Sequence, residues 1–363
     1  MIRQISISNF KSIQSLDLDV GRFNVIVGAN GSGKSNVLEA VAWAGAASAK
    51  QLEDRLMRAR GIRVSEPAFM KSAFDVDQNQ AKGVSLQIQL ENGNQAKFYL
   101  EHREKEGWRD EISSDFYLQQ ILDGVATPNV KETIEAKKNI EAFLNQFVIY
   151  SPENSSLRNF HSEYQIEPLG VHGEGLFALL SDYFAHQENG KWQELNDALS
   201  LFSWFDSFEV STYGADARQM AVKDFFVDEE VGEFEHRCVN EGFLFVLFYV
   251  ALFISDKTSS CFAIDNIEAA LNPKLARELV QQLYRLAQKY DKQVFISTHS
   301  PIILDALDLS DEEQRLLVVS RNLEGQTNAK RIKALETAGA PSPSLPLSEA
   351  FMRGYLGGLP DNF

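Results

Sequence analysis

Cysteine is nearly absent from this chain: 2 of 363 residues, Cys238 and Cys261. Neither stands at a ligand-like spacing, which excludes a disulfide framework and a structural zinc site and points to a reducing compartment. Long hydrophobic runs are also missing. The longest, FLFVLFYVALFI from Phe243 to Ile254, is far short of the roughly 20 residues of a bilayer span and reads as a buried core helix. Met1-Ile2-Arg3 leads straight into an alternating strand, so no secretory leader is expected and the expected location is cytoplasmic. Positive charge is scarce. With 35 Lys and Arg against 51 Asp and Glu, the net charge is −16, and such a surface on average repels a phosphate backbone. There are no internal repeats and no coiled-coil heptads. No HExxH motif, G-x-S-x-G elbow or plausible cysteine nucleophile is present, so zinc-protease and acyl-transfer chemistry are not expected.

What is present begins with bulk. A hydrophobic share of 44% over this length is enough for a large core and two lobes. The stretch IVGANGSGKSNVLEA, Ile26 to Ala40, carries Gly28-x-x-x-x-Gly33-Lys34-Ser35. It follows an apolar strand, FNVIVG, and opens a helix that places Val37, Leu38, Val41 and Ala42 on one face. Strand, glycine loop and helix together form a phosphate cradle, the Walker A loop. Its residues Gly28, Asn30, Gly31, Ser32, Gly33, Lys34, Ser35 and Asn36 are the candidate nucleotide contacts. Backbone N–H groups and the helix N-terminus face the phosphates, Lys34 reaches the β- and γ-phosphates, and the Ser35 hydroxyl serves Mg²⁺.

Other segments arrange themselves around that loop. IRQISISNFKSIQSLDLDV alternates as two strands joined through NFKS. VSLQIQLENGNQAKFYLEHR is a hairpin about Asn92-Gly93, and a helix follows over about 129–145. FVIY, Phe147 to Tyr150, returns to the main sheet. SCFAID and QVFIST are buried strands. Between them Pro273 opens a helix with Leu275, Leu279, Leu283 and Leu286 inward, and RLLVVSRN and NAKRIKAL close the core. The expected division is a discontinuous nucleotide-binding core at 1–50 and 241–340, with 146–152 returning to its sheet. An insertion with hairpin and helix spans 51–145, a helical lobe spans 153–240, and a tail spans 341–363.

A phosphate loop needs an acidic point for magnesium. Asp265, at the end of the apolar strand CFAI, is the candidate, because a carboxylate there is costly unless a cation uses it. The next residue, Asn266, stands where a general base would be useful; an amide orients water but cannot take its proton. Glu268 is either a substitute base or a solvated loop acid. His299, in STHSP after a buried strand, is placed to hydrogen-bond the γ-phosphate or to position water. Asp75-Val76-Asp77 resembles a metal pair only superficially. The stretch KQLEDRLMRARGIR, with Lys50, Arg55, Arg58, Arg60 and Arg63, reads as a solvated helix face or as a contact patch for nucleic acid or protein.

Taken together, ISNFKSI, VGANGSGKSNVLEAV, FAIDNIEAALNP and ISTHSPIILDAL resemble, in order, the ABC-type ATPases of the RecF/SMC/OLD group. The middle of the chain matches only loosely, and MRGYLGGLP looks like a tail of compact members without long coiled coils. The resemblance implies an α/β P-loop NTPase head with a mixed β-sheet core, a β-hairpin insertion and a helical lobe. It implies ATP and Mg²⁺ as cofactors and a homo-oligomer, at least a head-to-head dimer, with each ATP between one Walker A loop and the partner head's SxG signature. Here the candidate signature is VNEGF, where Gly242 matches and Asn240 replaces the serine. Transferred roles make His299 the switch histidine, Asp265 the magnesium aspartate and Leu271-Asn272-Pro273 part of the dimer-facing loop. No Q-loop glutamine is identifiable after FVIY. Lys11 lies near the nucleotide or DNA, or is a solvated strand-end lysine.

Compact heads of this kind often work beside a separate effector, commonly a nuclease, in bacterial defence against phage. Large OLD proteins add a Toprim nuclease domain, for which too few residues follow THSP here. The readings are therefore a working ATPase, a nucleotide-gated scaffold with slow or absent turnover, and a RecF-like DNA-repair ATPase using Lys11 and the Arg55–Arg63 stretch. A transporter motor fits poorly. Asn266 and Asn240 favour the slow, partner-regulating ATPase.

Overall fold

The computed structural model describes residues 1–74, 82–111, 129–158, 165–185, 190–210, 220–228, 234–235, 238–334 and 345–358; Asp75-Val76-Asp77 lie outside them. The chain divides into two units: residues 1–149, 260–266 and 293–363, and residues 150–259 and 267–292.

In the first unit, apolar residues at every second position settle on one face of a strand pair. β1 (Ile2–Phe10) and β2 (Ile13–Asp19) run antiparallel, with Ile7 opposite Leu16 and Ile5 opposite Leu18. β3 (Phe23–Val27) is buried at every residue, as a strand covered on both faces must be. It passes through the glycine loop into α1 (Lys34–Ser48), followed by the short helices α2 (Asp54–Arg58) and α3 (Pro67–Met70). β4 (Val84–Leu90) and β5 (Gln95–Arg103) form the expected hairpin, with Gly93 left-handed at φ 83° in its turn. β6 (Gly107–Asp110) pairs with β5. β4 also pairs with β1, Ile88 opposite Ile5. Residues 51–145 therefore supply three strands to one antiparallel sheet of order β2-β1-β4-β5-β6. α4 (Asn129–Leu144) leads on to β7 (Ile149–Tyr150).

The second unit starts with α5 (Asn154–Leu157), α6 (Leu176–Ala185) and α7 (Lys191–Leu199). The stretch 153–240, expected to be helical, also holds an antiparallel sheet of order β10-β9-β8: β8 (Phe205–Val210), β9 (Met220–Asp224) and β10 (Phe234–Glu235). Phe208 and Val210 face inward from β8, and a run so short does not separate strand from helix by periodicity. α8 (Glu241–Ile254) contains the long apolar run, buried from Phe243 to Ile254. α9 (Pro273–Lys289) turns Leu275, Leu279, Leu283 and Leu286 inward, as their spacing predicts. Each such side chain contributes about 1.5–3 kcal/mol of burial free energy. Among the described residues no helix is long and apolar enough to cross a membrane.

Back in the first unit come β11 (Cys261–Ile264), β12 (Gln293–Thr298), a 3₁₀ turn at Pro301–Ala306, β13 (Gln314–Arg321), β14 (Thr327–Ile332) and α10 (Leu347–Met352). They complete a mixed six-stranded sheet of order β14-β13-β3-β12-β11-β7. β3 is parallel to β12 and β13, and β11 is parallel to β12; β14 returns antiparallel. α1 was expected to bury one face. Glu39, Trp43, Ala44 and Ala46 are buried too. The reason is its position between two sheets: its core cluster joins Ile5, Ile7, Leu86 and Phe98 of one sheet to Ile26, Phe295 and Leu317 of the other.

Candidate nucleotide site

In parallel sheets, ligands sit beyond the carboxyl ends of the strands. β3 ends at Val27, β11 at Ile264 and β12 at Thr298, and the next residues are Gly28, Asp265 and His299. Three segments distant in sequence thus deliver their candidate residues to one edge of one sheet. The cleft there is about 370 Å³ and is lined by Asn30, Gly31, Gly33, Lys34, Ser35, Asn36, Arg63, Asn266, His299 and Arg321.

The loop is shaped by close approach. A Cβ on Gly28 would lie 2.0 Å from the Val319 carbonyl oxygen, so no other residue fits. Lys34 is 5% exposed, and its ammonium donates to the carbonyls of Gly28 at 2.8 Å and Ala29 at 3.0 Å. Its Nζ also lies 3.3 Å from His299 Nδ1. An ammonium can only donate, so Nδ1 is the bare nitrogen of that pair and Nε2 carries the ring proton. Ser32 Oγ is buried and finds no hydrogen-bond partner among the described residues.

Asp265 is held from two sides. Ser35 Oγ donates to its Oδ2 at 3.2 Å, and Ser297 Oγ donates to its Oδ1. The Ser297 oxygen in turn accepts from Asn266 N at 3.0 Å. Asn266 is left-handed, φ 56°, a conformation in which asparagine is enriched several-fold over most residues. A hydroxyl and a carboxylate this close suit Mg²⁺, which takes few protein ligands and keeps water and phosphate oxygens for the rest. Among the described residues no group of three or more His, Cys, Asp or Glu side chains could hold a metal ion, and a site of this kind needs none.

Two cleft residues have no local signal in the sequence. Arg321, the last residue of β13, donates from Nε to the Gly31 carbonyl at 2.7 Å. Arg63 donates from Nε to Glu39 Oε1 at 2.6 Å and from a terminal nitrogen to Asn36 Oδ1 at 3.2 Å. Glu39 is 1% exposed on α1, and its other oxygen accepts from Lys11 Nζ at 2.5 Å. Burial, opposed by Glu39, leaves the Lys11 ammonium below its ordinary pKa, while Glu39 holds Arg63 above its own against burial. Lys11 is therefore neither a solvated strand end nor a free DNA contact.

In the basic stretch Lys50, Arg55, Arg58 and Arg63 are exposed, as both of its readings expect, and Arg60 departs from them. Arg60 is 3% exposed and donates to the carbonyls of Phe147 at 3.1 Å and Asn145 at 2.6 Å; burial lowers its pKa to about 10. Arg58 donates to the Val64 carbonyl at 2.9 Å. With Arg63 on Glu39, three of these cations serve the fold.

All the cleft residues come from the first unit. Asn240, Gly242 and Glu268 belong to the second. Asn240 caps α8, its Oδ1 accepting from Phe243 N at 2.8 Å, and a Cβ on Gly242 would lie 3.1 Å from the Ala270 carbonyl. The backbone carbonyl of Glu268 accepts from Leu271 N, and Asn272 caps α9 through Leu275 N.

The comparisons with known proteins agree with this geometry. Residues 23–305 match the family described as "AAA domain, putative AbiEii toxin, Type IV TA system". The chain is 23% identical over 359 residues to a DNA replication and repair protein RecF of Actinobacillus pleuropneumoniae, covering 86% of this chain and 96% of that protein. The RecF of serotype 5b (strain L20) of the same organism is 49% identical over 45 residues, 12% of each chain. The SmcHead, solved in complex with the C-winged helix domain of ScpA, shares the fold at a TM-score of 0.60 and 15% identity, covering 93% of this chain and 99% of that one. The chain belongs to this AAA-domain family and has the α/β fold of an SMC head.

Proposed function

We propose that this protein is an ABC-type ATPase of the RecF/SMC group that binds ATP with Mg²⁺ at the Gly28–Asn36 loop, closes head to head on a second copy, and controls a separate effector, with slow hydrolysis. The observation that carries the reading is Asn266. Asp265 is occupied by two hydroxyls, and Asn266 is the next residue lining the cleft, so an amide stands where water would be activated. Losing a general base slows turnover by about 10²–10⁴-fold. Binding alone still shifts a population between open and closed heads, because that needs only a difference in affinity.

Each residue has a place in the scheme. Lys34 leaves the Gly28 and Ala29 carbonyls for the β- and γ-phosphates; Ser35 and Asp265 hold the magnesium ion. When bound, the ion neutralises phosphate charge. His299 Nδ1 accepts from Lys34 and keeps its Nε2–H as a donor toward the γ-phosphate or the attacking water. Asn240 and Gly242 act in trans, as the signature loop facing a second copy's ATP, and Glu268 is the remaining carboxylate for a base. The family description refers to a Type IV TA system, which supports a two-component arrangement, and a nuclease effector in anti-phage defence is the form proposed here.

Mass measurement of the protein with ATP, without ATP and with Lys34→Ala tests the assembly. A dimer formed only with ATP and lost in the variant is expected; a monomer at saturating ATP overturns it. Steady-state phosphate release above about 1 s⁻¹ at an unaltered Asn266 would overturn slow turnover.

The RecF relative, matched over 86% of this chain, favours a second reading as a DNA-repair ATPase that binds DNA directly. It meets a chain of net charge −16 in which Arg60 is buried, while Arg58 and Arg63 stay exposed. A salt-titrated duplex-binding assay with ATP decides it: saturable binding supports it, and none at low salt removes it.

A further inference from the structure

Residues 345–358, a mere tail by sequence, reach the nucleotide site at two points. α10 packs against the 3₁₀ turn Pro301–Ala306, two residues beyond His299. Asp305 fastens it there. Its Oδ1 accepts from Ser348 N at 2.9 Å and its Oδ2 from Ser348 Oγ at 2.6 Å. Ser348, Ala350, Phe351 and Leu356 are buried. The chain then turns back through Gly354 and Gly357 to Gly358, whose carbonyl accepts from Ala29 N at 3.0 Å. Ala29 is the second residue of the phosphate loop.

The fit at that second point leaves no slack. Gly358 is left-handed, φ 81°, and a Cβ there would lie 2.4 Å from Val318 Cγ1. The Val319 carbonyl would be 3.7 Å from that Cβ and 2.0 Å from one on Gly28. The end of β13 is thus clasped between the first glycine of the loop and the last glycine of the tail.

We propose that residues 345–358 are a positioning element of the nucleotide site, holding the phosphate loop at Ala29 and the turn after His299 as one body. This rests on reading the cleft as the ATP site. A phosphate loop binds through backbone donors that must already be aligned, and any freedom left to it is lost on binding. Asp305 and Gly358 remove that freedom in advance. Linkage is reciprocal: if the docked tail favours ATP, ATP favours the docked tail.

The test compares ATP binding by calorimetry in the full chain and in Asp305→Ala, Asp305→Asn, Gly358→Val and Lys34→Ala, with melting temperatures alongside. Amide exchange over 345–358 is followed with and without ATP. Asp305→Ala and Gly358→Val are expected to weaken ATP about 3–10-fold, and Gly358→Val, forced against Val318 at a left-handed position, also to lower the melting temperature. Asp305→Asn, which keeps an acceptor for Ser348 N, is expected to restore most of the affinity. ATP is expected to slow exchange across 345–358 in the full chain and not in Lys34→Ala. Unchanged affinity in both tail variants, or exchange indifferent to ATP, overturns the inference. If a variant does not fold, the exchange measurement on the unaltered chain decides. Failure of the unaltered chain to bind ATP defeats the cleft reading; binding with an indifferent tail defeats this inference alone.

Discussion

Ser297 donates from its hydroxyl to Asp265 Oδ1, and the serine is wholly buried. The bond fixes which carboxylate oxygen is left for Ser35, and outer partners of this kind set the orientation of a metal-binding group. Ser297→Ala is expected to lower the Mg²⁺ affinity seen in ATP binding about 10–100-fold, raising the Mg²⁺ midpoint. Binding measured over a Mg²⁺ series checks it; an unaltered Mg²⁺ midpoint would remove Asp265 from the metal site.

Asn266→Glu is expected to raise ATP turnover by about 10²-fold or more by supplying the missing base. The position is left-handed at φ 56°, so a glutamate adds about 1–2 kcal/mol of backbone strain and lowers stability by a similar amount. Steady-state phosphate release and thermal melting on the same sample separate the two effects. Unchanged turnover in a folded variant places the base elsewhere.

Glu39 joins Lys11 and Arg63 from inside α1. Removing it leaves the Lys11 ammonium, 12% exposed at the side chain, without its carboxylate. Glu39→Ala is expected to destabilise the fold by about 3 kcal/mol, and Glu39→Gln by less, in denaturant titrations. Arg63 is 66% exposed at its side chain, so its half of the pair adds little.

Tyr150 and Tyr249 are fully buried, and burial pushes both phenols above their ordinary value of 10.0. Below that value both states keep the proton and the tyrosines add no pH dependence. Above it the unfolded chain releases protons that the folded chain retains, so stability falls as pH rises. The slope is about 1.4 kcal/mol per pH unit for each tyrosine. Tyr249→Phe should flatten the alkaline limb of the melting curve; its hydroxyl has no hydrogen-bond partner among the described residues, so the loss at neutral pH should be small.

Much of the fold could be read along the chain because its signals are local. The alternation of Ile5, Ile7, Leu16 and Leu18 is a strand pair whatever surrounds it, and Asn92-Gly93 is a hairpin turn. Leu275, Leu279, Leu283 and Leu286 mark the inner face of α9 by spacing alone. Where the reading faltered, a partner distant in sequence was responsible. Nothing within residues 51–145 announces that β4 lies beside β1. Arg60 reads as exposed along with its neighbours because Phe147 and Asn145, which receive it, stand far along the chain.

The sequence alone determined the phosphate loop, since glycine spacing, a lysine and a hydroxyl must lie close together to surround a phosphate, and closeness in space there is closeness in chain. It also marked Asp265 and His299 as ends of buried strands. Only the tertiary structure decided which residues meet them: Ser297 behind Asp265, Arg321 on Gly31, Glu39 beneath Arg63, and Gly358 against Ala29. The reason is topological. Parallel strands from four parts of the chain end at one sheet edge, and a neighbour across that edge leaves no periodic trace in the sequence.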